Sequence, residues 1–197
     1  MIKNWKKFNE SGIYIPIDIL NSHLPNFDKI EKNTREEFLK GKNQGIYWEY
    51  NGEKINIYDK NGSVEGFPIS TLQYVVAIFQ NSKIYPHPDN AVIFNLDGTV
   101  NKILKIPKFK SELILEQIEK KNESNPPIES FLKGKRLCYN HYKRFINDKG
   151  FELDILDIDY ELEYTESQIL DPYTLELSDF LNSRFDRYYY WNEKYKP

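Results

Sequence analysis

The alternation of apolar and polar residues predicts a chain made largely of β-hairpins. Two alternating runs, residues 46–50 and 55–58, flank an Asn-Gly step at 51–52. This dipeptide is a strong hairpin signal because both central residues of a type I′ turn need positive φ. A second Asn-Gly step at 61–62 predicts a third strand, which ends at the proline at 68. We therefore expect a three-strand meander.

Three further segments favour strands. Residues 12–20 suit an edge strand or an extended entry segment, because Pro16 lacks the N–H that a central strand would donate. Residues 91–94 and 100–106 flank an Asp-Gly step at 97–98, which again indicates a hairpin.

The longest hairpin is predicted from residues 136–145 and 151–164, around the polar turn 147–150. Apolar residues alternate on one phase of its second strand up to Ile155 and on the other phase from Leu156. Since successive strand side chains point to opposite faces, the two adjacent apolar residues predict a β-bulge or a bend at this point.

Apolar residues at helical spacing predict helices between the strands. Residues 75–79 are also consistent with a buried strand, and we favour a helix because Ser70 provides an N-cap. The predicted fold class is α+β, a mainly antiparallel sheet built from hairpins with several packed helices, in a single domain spanning 1–197. The helical segments are residues 28–39, 71–80, 111–121, and those after Ser178 that include Phe180, Leu181, Phe185 and Tyr188.

Composition limits the kind of protein. A chain of 197 residues suits one domain with a core of its own. One cysteine, Cys138, excludes a disulfide framework within the chain and favours a buried structural thiol in a reducing compartment. A catalytic pair with His141 is disfavoured, because residues three apart on a strand face opposite sides. No apolar run approaches the roughly 20 residues of a membrane span, so we expect a cytoplasmic protein with no membrane partner.

Charge is distributed unevenly, although the net charge is only −3. Residues 148–186 contain twelve Asp and Glu against two Lys and Arg, whereas residues 101–147 contain eleven Lys and Arg against five Glu. One interpretation is that the two regions pack side by side and neutralise each other. The other is that the acidic region faces a charged partner.

The acidic residues of the second long strand form the first candidate site. Asp157, Asp159, Glu161 and Glu163 occupy alternate positions, so a continuous strand would place them on one face. An ordinary solvent-exposed sheet face explains this alternation. The functional interpretation is a negative stripe that meets a basic partner, where charge would speed association and select the partner.

Aromatic residues near the C-terminus provide a second candidate surface. Tyr189 and Trp191, in the aromatic segment 184–191, suit interface anchors because Tyr, Trp and Arg dominate binding hot spots. A basic segment with interleaved aromatics, residues 133–144, could contact nucleic acid. The acidic strand that follows favours cross-strand charge pairing instead, so we expect no direct nucleic-acid partner.

No sequence pattern indicates a catalytic or cofactor site. His23, His87 and His141 are far apart and have no cysteine companions, which disfavours zinc. The sequence contains no glycine-rich phosphate loop and no GxSxG elbow. We predict no enzyme, with no catalytic residue, metal or cofactor. The alternative is a small enzyme or ligand-binding domain with a site near His87 and Asp89, in the rigid loop 85–89.

As a whole, the chain resembles the immunity proteins of bacterial toxin systems, such as contact-dependent growth inhibition. The resemblance is one of type: a small acidic α+β protein, rich in Tyr and Asn, with hairpins such as residues 94–100 and no enzyme motif. These proteins share no common fold, so no functional residue is carried over. The resemblance implies that the protein binds and blocks a cognate toxin domain, often a nuclease with a basic cleft, which an acidic stripe would suit. The candidate partner-binding residues are Asp157, Asp159, Glu161, Glu163, Tyr189 and Trp191.

Overall fold

The computed structural model describes residues 1–19, 30–123, 137–146, 150, 152–160, 164–185 and 188–195. These residues form two compact units. Unit 1 comprises Met1–Pro86 and Asn90–Leu104, and unit 2 comprises His87–Asp89 and Lys105–Pro197. The single domain spanning 1–197 stays a prediction. Neither of the two helices found in the described ranges is long and apolar enough to cross a membrane.

Unit 1 begins with sheet 1, a four-stranded antiparallel sheet, and one helix. Its strand order is β2-β1-β3-β4, so the predicted edge strand with Pro16 is confirmed. The hairpin at 51–52 is also confirmed, since both turn residues have positive φ. The helix predicted over 28–39 corresponds to α1, in which Phe38 is buried. The elements are β1 (Lys3–Asn9), β2 (Tyr14–Pro16), α1 (Lys32–Lys40), β3 (Asn43–Tyr50) and β4 (Glu53–Tyr58).

Sheet 2 completes unit 1, with strand order β5-β6-β7-β8. It comprises β5 (Ser63–Pro68), β6 (Tyr74–Gln80), β7 (Ala91–Asn95) and β8 (Val100–Leu104). The hairpin of β7 and β8 around Gly98 is confirmed. The three-strand meander is wrong, because β5 pairs with β6 rather than with β4. At the turn before β5, Asp59 Oδ1 accepts the backbone N–H groups of Asn61 and Gly62, so a side chain holds this turn and no hairpin closes there.

The core of unit 1 includes the region where β3 and β5 meet. Trp5 of β1 stacks on Trp48 with ring centroids 5.3 Å apart and on Phe67 at 6.4 Å. Gly66 of β5 permits a close approach, because a Cβ added there would lie 2.8 Å from Cδ1 of Ile46. The missing side chain therefore helps to set the spacing between the two sheets.

Unit 2 consists of sheet 3, a five-stranded antiparallel sheet, and one helix. Its strand order is β13-β12-β11-β10-β9. The long hairpin is confirmed by the pairing of β9 with β10, and the helix over 111–121 by α2. The elements are α2 (Glu112–Glu123), β9 (Leu137–Ile146), β10 (Glu152–Tyr160), β11 (Tyr164–Leu170), β12 (Leu177–Phe185) and β13 (Tyr188–Trp191).

Both faces of sheet 3 carry apolar clusters, at different ends of β10. One face holds the cluster of Ile114, Tyr160 and Tyr164, and the other holds the cluster of Ile155, Ile169 and Leu181. The apolar residues of β10 change phase because each face of the strand has its own cluster. β10 pairs with β11 without interruption, so the phase change needs no bulge in β10. The bulge predicted at Ile155 and Leu156 is therefore wrong. The irregularity lies in β9, where the pairing with β10 skips Asn140.

The fold-class prediction of several packed helices is wrong, because the described residues form thirteen strands and two helices. Residues 74–80 form β6 instead of a helix, and Val75–Phe79 are all buried. A strand covered on both faces shows a continuous apolar run that periodicity alone cannot distinguish from a buried helix. Before β6, the chain turns where the Leu72 N–H donates to the Ile69 carbonyl, and Leu72 has positive φ.

The helix predicted after Ser178 is also wrong. Its residues form β12 and β13, which pair as an antiparallel hairpin. The pairing of β12 with β11 is irregular and skips Leu181. Leu181 is buried in the apolar cluster with Ile155, and Ser183 is buried against Ser111 on the opposite face. The apolar residues that suggested helical spacing belong to two strands.

Gly66→Ala should lower the free energy of unfolding by about 1–3 kcal/mol, since the new methyl group must displace Ile46. The backbone carbonyl of Val76, 2.7 Å from the added carbon, leaves little room for relaxation. Urea unfolding followed by tryptophan fluorescence measures the change. Ser63→Ala on the same strand is the control, with an expected change under about 0.5 kcal/mol. Equal stability of the two variants would contradict the close approach of β3 and β5.

Candidate functional site

The register of sheet 3 aligns four of the six candidate partner-binding residues on one face, because directly paired residues share a face of a sheet. Asp157 and Asp159 of β10 lie on the same face as Tyr189 and Trp191 of β13, three strands away. We name this surface the two-row face. Its first row is His141, Asp157, Ser167, Asn182 and Trp191, and its second row is Cys138, Asp159, Thr165, Arg184 and Tyr189.

The two aspartates of the two-row face are engaged within the protein. Asp157 Oδ1 and Oδ2 lie 2.9 and 3.0 Å from Nζ of Lys143, and the Ser167 hydroxyl donates to Oδ1 at 2.5 Å. The Asp157 side chain is 13% exposed and the Lys143 side chain 38%. Asp159 accepts a hydrogen bond from Oγ1 of Thr165 at 2.9 Å. The expected cross-strand charge pairing is thus confirmed between β9 and β10.

The remaining two acidic candidates, Glu161 and Glu163, lie outside the described residues. β10 ends at Tyr160, and β11 begins at Tyr164, which pairs directly with it. The prediction of one strand continuing to residue 164 is therefore wrong. The alternate spacing that suggested a stripe of four carboxylates aligns only the first two of them on β10.

The two aromatic candidates differ in their surroundings. Trp191 packs in the apolar cluster, with its ring centroid 6.1 Å from that of Phe145. These residues lie on β13 and β9, the two edges of sheet 3, which a flat sheet would separate by about 19 Å. The sheet therefore curls. Tyr189 is 63% exposed on β13, and its exposed neighbour Tyr190 stacks on Phe180 at 6.3 Å. Trp191 supports the core, whereas Tyr189 is available to a partner.

A buried polar network that the sequence analysis missed lies on the opposite face of sheet 3. Glu166 accepts the backbone N–H groups of Lys110 and Ser111, at 2.9 and 2.7 Å, and the side-chain amide of Gln168 at 2.5 Å. The hydroxyls of Ser111 and Ser183 lie 2.6 Å apart. Burial raises the pKa of Glu166, and these hydrogen bonds oppose the shift. The network anchors the start of α2 to β11.

The contact between Lys143 and Ser167 has the composition of a catalytic pair. Nζ of Lys143 lies 3.3 Å from Oγ of Ser167, and a neutral lysine at such a distance could activate a serine nucleophile. Here Asp157 holds the lysine as an ion pair, and Ser167 is only 2% exposed. The cluster therefore offers no accessible nucleophile, and we interpret it as structural.

Cys138 is buried, as expected for a structural thiol. The prediction that Cys138 and His141 face opposite sides of the sheet is wrong. Because the pairing of β9 skips Asn140, both residues lie on the two-row face. His141 is exposed while Cys138 is fully buried, so the shared face creates no accessible Cys–His pair.

In the alternative site near His87, the carboxylate of Asp89 is already engaged within the protein. Oδ1 of Asp89 accepts the backbone N–H of Ile106 at 2.9 Å, and Oδ2 pairs with Nζ of Lys105 at 2.7 Å. This carboxylate fastens the segment that follows β8. Within the described ranges, no group of three or more His, Cys, Asp or Glu could hold a metal ion.

Two clefts open on unit 1, and none of the candidate residues lines either of them. The larger, of about 600 Å³, is lined by Met1, Tyr50, residues 71–74 and residues 95–97. The smaller, of about 450 Å³, lies between the turn after β1 and the end of α1. The sequence predicts the hairpin turns beside Tyr50 and at residues 95–97, but it predicts a helix at residues 71–74 and does not show that the three segments converge.

No family model matches the chain, and no curated protein matches it. Among solved structures, one chain of "Structure of Tne2 in complex with Tni2" matches this protein with a TM-score of 0.54 at 9% sequence identity. The match covers 95% of this chain and 100% of that chain. The two proteins share a fold. Tne2 and Tni2 are a toxin–immunity pair, and the shared fold is consistent with the suspected resemblance to toxin immunity proteins.

Lys143→Met should lower the free energy of unfolding by about 1–3 kcal/mol, because it leaves the poorly solvated Asp157 without its cation. Lys105→Met is the matched control. Lys105 also pairs with an aspartate, at 2.7 Å, but its side chain is 81% exposed. Its loss should cost less than about 1 kcal/mol. Urea unfolding of both variants checks the difference, and similar losses would argue against a shielded ion pair at Asp157.

Proposed function

We propose that this protein is an immunity protein, which binds a cognate toxin domain and blocks it by protein–protein contact. The observation that carries the proposal is the fold shared with a chain of the complex of Tne2 with Tni2, a toxin–immunity pair. The similarity extends over 95% of this chain and the whole of that chain, so it includes residues of both units. A likeness of this extent supports the class of protein, and the residues of unit 2 suggest how it would bind.

A binding role agrees with the chemistry of the described residues. Asp89, Asp157 and Glu166 all accept hydrogen bonds within the protein, and the Ser167 hydroxyl is buried. Side chains engaged in this way stabilise a fold and do not supply a free acid, base or nucleophile. The proposal therefore assigns the protein no catalytic step of its own.

The proposed contact surface is the β13 edge of sheet 3 with the adjoining two-row face. An edge strand has backbone N–H and C=O groups without a neighbouring strand on one side. Tyr189 and Tyr190 add exposed aromatic area, which is typical of binding hot spots. We propose that the carboxylates Asp159, Glu161 and Glu163 favour a basic toxin surface, such as a nuclease cleft, by raising the association rate. Asp157 contributes less, because its charge is already paired with Lys143.

The proposed complex forms in the cytoplasm, the compartment that a chain with a single cysteine favours. Cells that express the toxin domain encoded beside this gene should survive only when this chain is expressed with it. The two proteins should also coelute in size-exclusion chromatography. Toxin killing that persists although the folded chain is present in excess would refute the proposed function.

Tyr189→Ala should weaken toxin binding by about tenfold or more, because truncation of a hot-spot tyrosine costs over roughly 1 kcal/mol. The matched control is Tyr173→Ala, which also removes an exposed tyrosine of unit 2, 78% exposed but away from β13. Calorimetric titration of each variant with the toxin domain gives the dissociation constants. Equal affinities of the two variants would exclude the β13 edge as the main contact.

A further inference from the structure

The larger cleft of unit 1 lies where the first residue of the chain meets three segments that connect neighbouring strands. It is lined by Met1, by Tyr50 at the end of β3, by residues 71–74 leading into β6, and by residues 95–97 between β7 and β8. Its volume of about 600 Å³ falls within the roughly 300–1,000 Å³ of typical ligand sites. Loops held by sheets in this way are common positions for binding residues.

Several polar groups of the cleft are unused by the protein. The hydroxyls of Tyr50, Thr71 and Tyr74 and the amide of Gln73 have no hydrogen-bond partner within the described part of the chain. Among them, Oγ1 of Thr71 is buried. Since this oxygen has almost no accessible surface, the polar groups that a ligand can reach directly are those of the half-buried Tyr50 and Tyr74 and of the exposed Gln73.

Asp97 carries the carboxyl group among the residues described as lining the cleft. Its Oδ1 accepts the backbone N–H and the hydroxyl of Thr99, at 3.0 and 2.6 Å. These bonds hold the pKa of the Asp97 carboxyl below its usual range and fix its orientation. Oδ2 makes no such bond in the described structure, which leaves a negatively charged acceptor at the cleft.

We propose that this cleft receives an arginine side chain of a protein partner. A guanidinium has five N–H donors, no acceptor and a permanent positive charge. Asp97 supplies the opposite charge, and the aromatic rings of Tyr50 and Tyr74 suit the stacking that guanidinium groups favour. The available acceptors are Asp97 Oδ2, Gln73 Oε1 and the hydroxyl oxygens of Tyr50 and Tyr74.

Other occupants fit this set less well. Lysine has three donors on a compact ammonium group and can therefore bond fewer of these acceptors at once than the five donors of a guanidinium. An anionic ligand would meet Asp97 without a cationic side chain among the described lining residues. The identity of the partner as a toxin domain rests on the proposed function, whereas the preference of the cleft for arginine does not.

Titration of the full-length chain with N-acetyl-arginine amide tests the cleft without any toxin. Backbone amide NMR signals of residues 71–74 and 95–97 should shift and saturate, with a dissociation constant on the order of millimolar for so small a ligand. N-acetyl-citrulline amide has nearly the same shape without the charge, and it should bind at least about tenfold more weakly because it cannot pair with Asp97.

Two variants locate the interaction. Asp97→Asn keeps the oxygen that Thr99 uses but removes the charge, so arginine binding should weaken by about tenfold or more. Tyr74→Phe removes one hydroxyl and should give a smaller loss. Tyr58→Phe, a half-exposed tyrosine of unit 1 outside the cleft, should bind like the wild type. Intact mass confirms that the new Asn-Gly step at 97–98 has not deamidated.

Equal binding of the arginine and citrulline probes would overturn the proposal, and so would unchanged arginine binding by Asp97→Asn. The NMR spectrum of each variant shows whether it is folded. A chain that binds the arginine probe but no toxin would count against the proposed function and leave arginine recognition by the cleft supported. The two proposals can therefore fail separately.

Discussion

Both phases of β11, a central strand of sheet 3, are buried, so its polar side chains need partners inside the protein. Three consecutive residues of β11, Glu166, Ser167 and Gln168, are buried. Glu166 and Gln168 bond to each other and to the segment before α2, while Ser167 bonds to Asp157 on the other face. A buried polar group without a partner costs about 1–3 kcal/mol. These bonds therefore fix the position of α2 against β11 and stabilise the pairing of β11 with β10.

This constraint also limits which groups a partner can use. Asp157 belongs to the acidic strand that the charge pattern suggests as a binding surface. Its carboxylate, however, already pairs with Lys143 and accepts a hydrogen bond from Ser167. The accessible groups of unit 2 include the edge strand β13, where Tyr189 is exposed. In unit 1 they include the cleft at Asp97, where polar groups have no internal use. Each surface is suited to side chains of a protein partner, which is why a binding role fits the molecule.

Local signals in the sequence predict turns well and long-range burial poorly. The hairpins at 51–52 and 97–98 follow from residues that tolerate positive φ, and both are present. Residues 75–79 are buried in β6, which lies between β5 and β7. The spacing of their apolar side chains also fits a helix and does not show that two strands flank them. The shared face of Asp157 and Tyr189 depends on the register of three strand pairs, which no local pattern specifies.

In the proposed complex, this chain binds a toxin domain through exposed edges and turns, and its buried networks stay unchanged. Hydrogen–deuterium exchange of the chain, alone and saturated with the cognate toxin domain, tests it peptide by peptide. We predict slower exchange in Tyr188–Trp191 and in residues 71–74 and 95–97, with little change in the already protected β11. Unchanged exchange in all of those segments at saturating toxin, or slowing confined to other segments, would contradict the account.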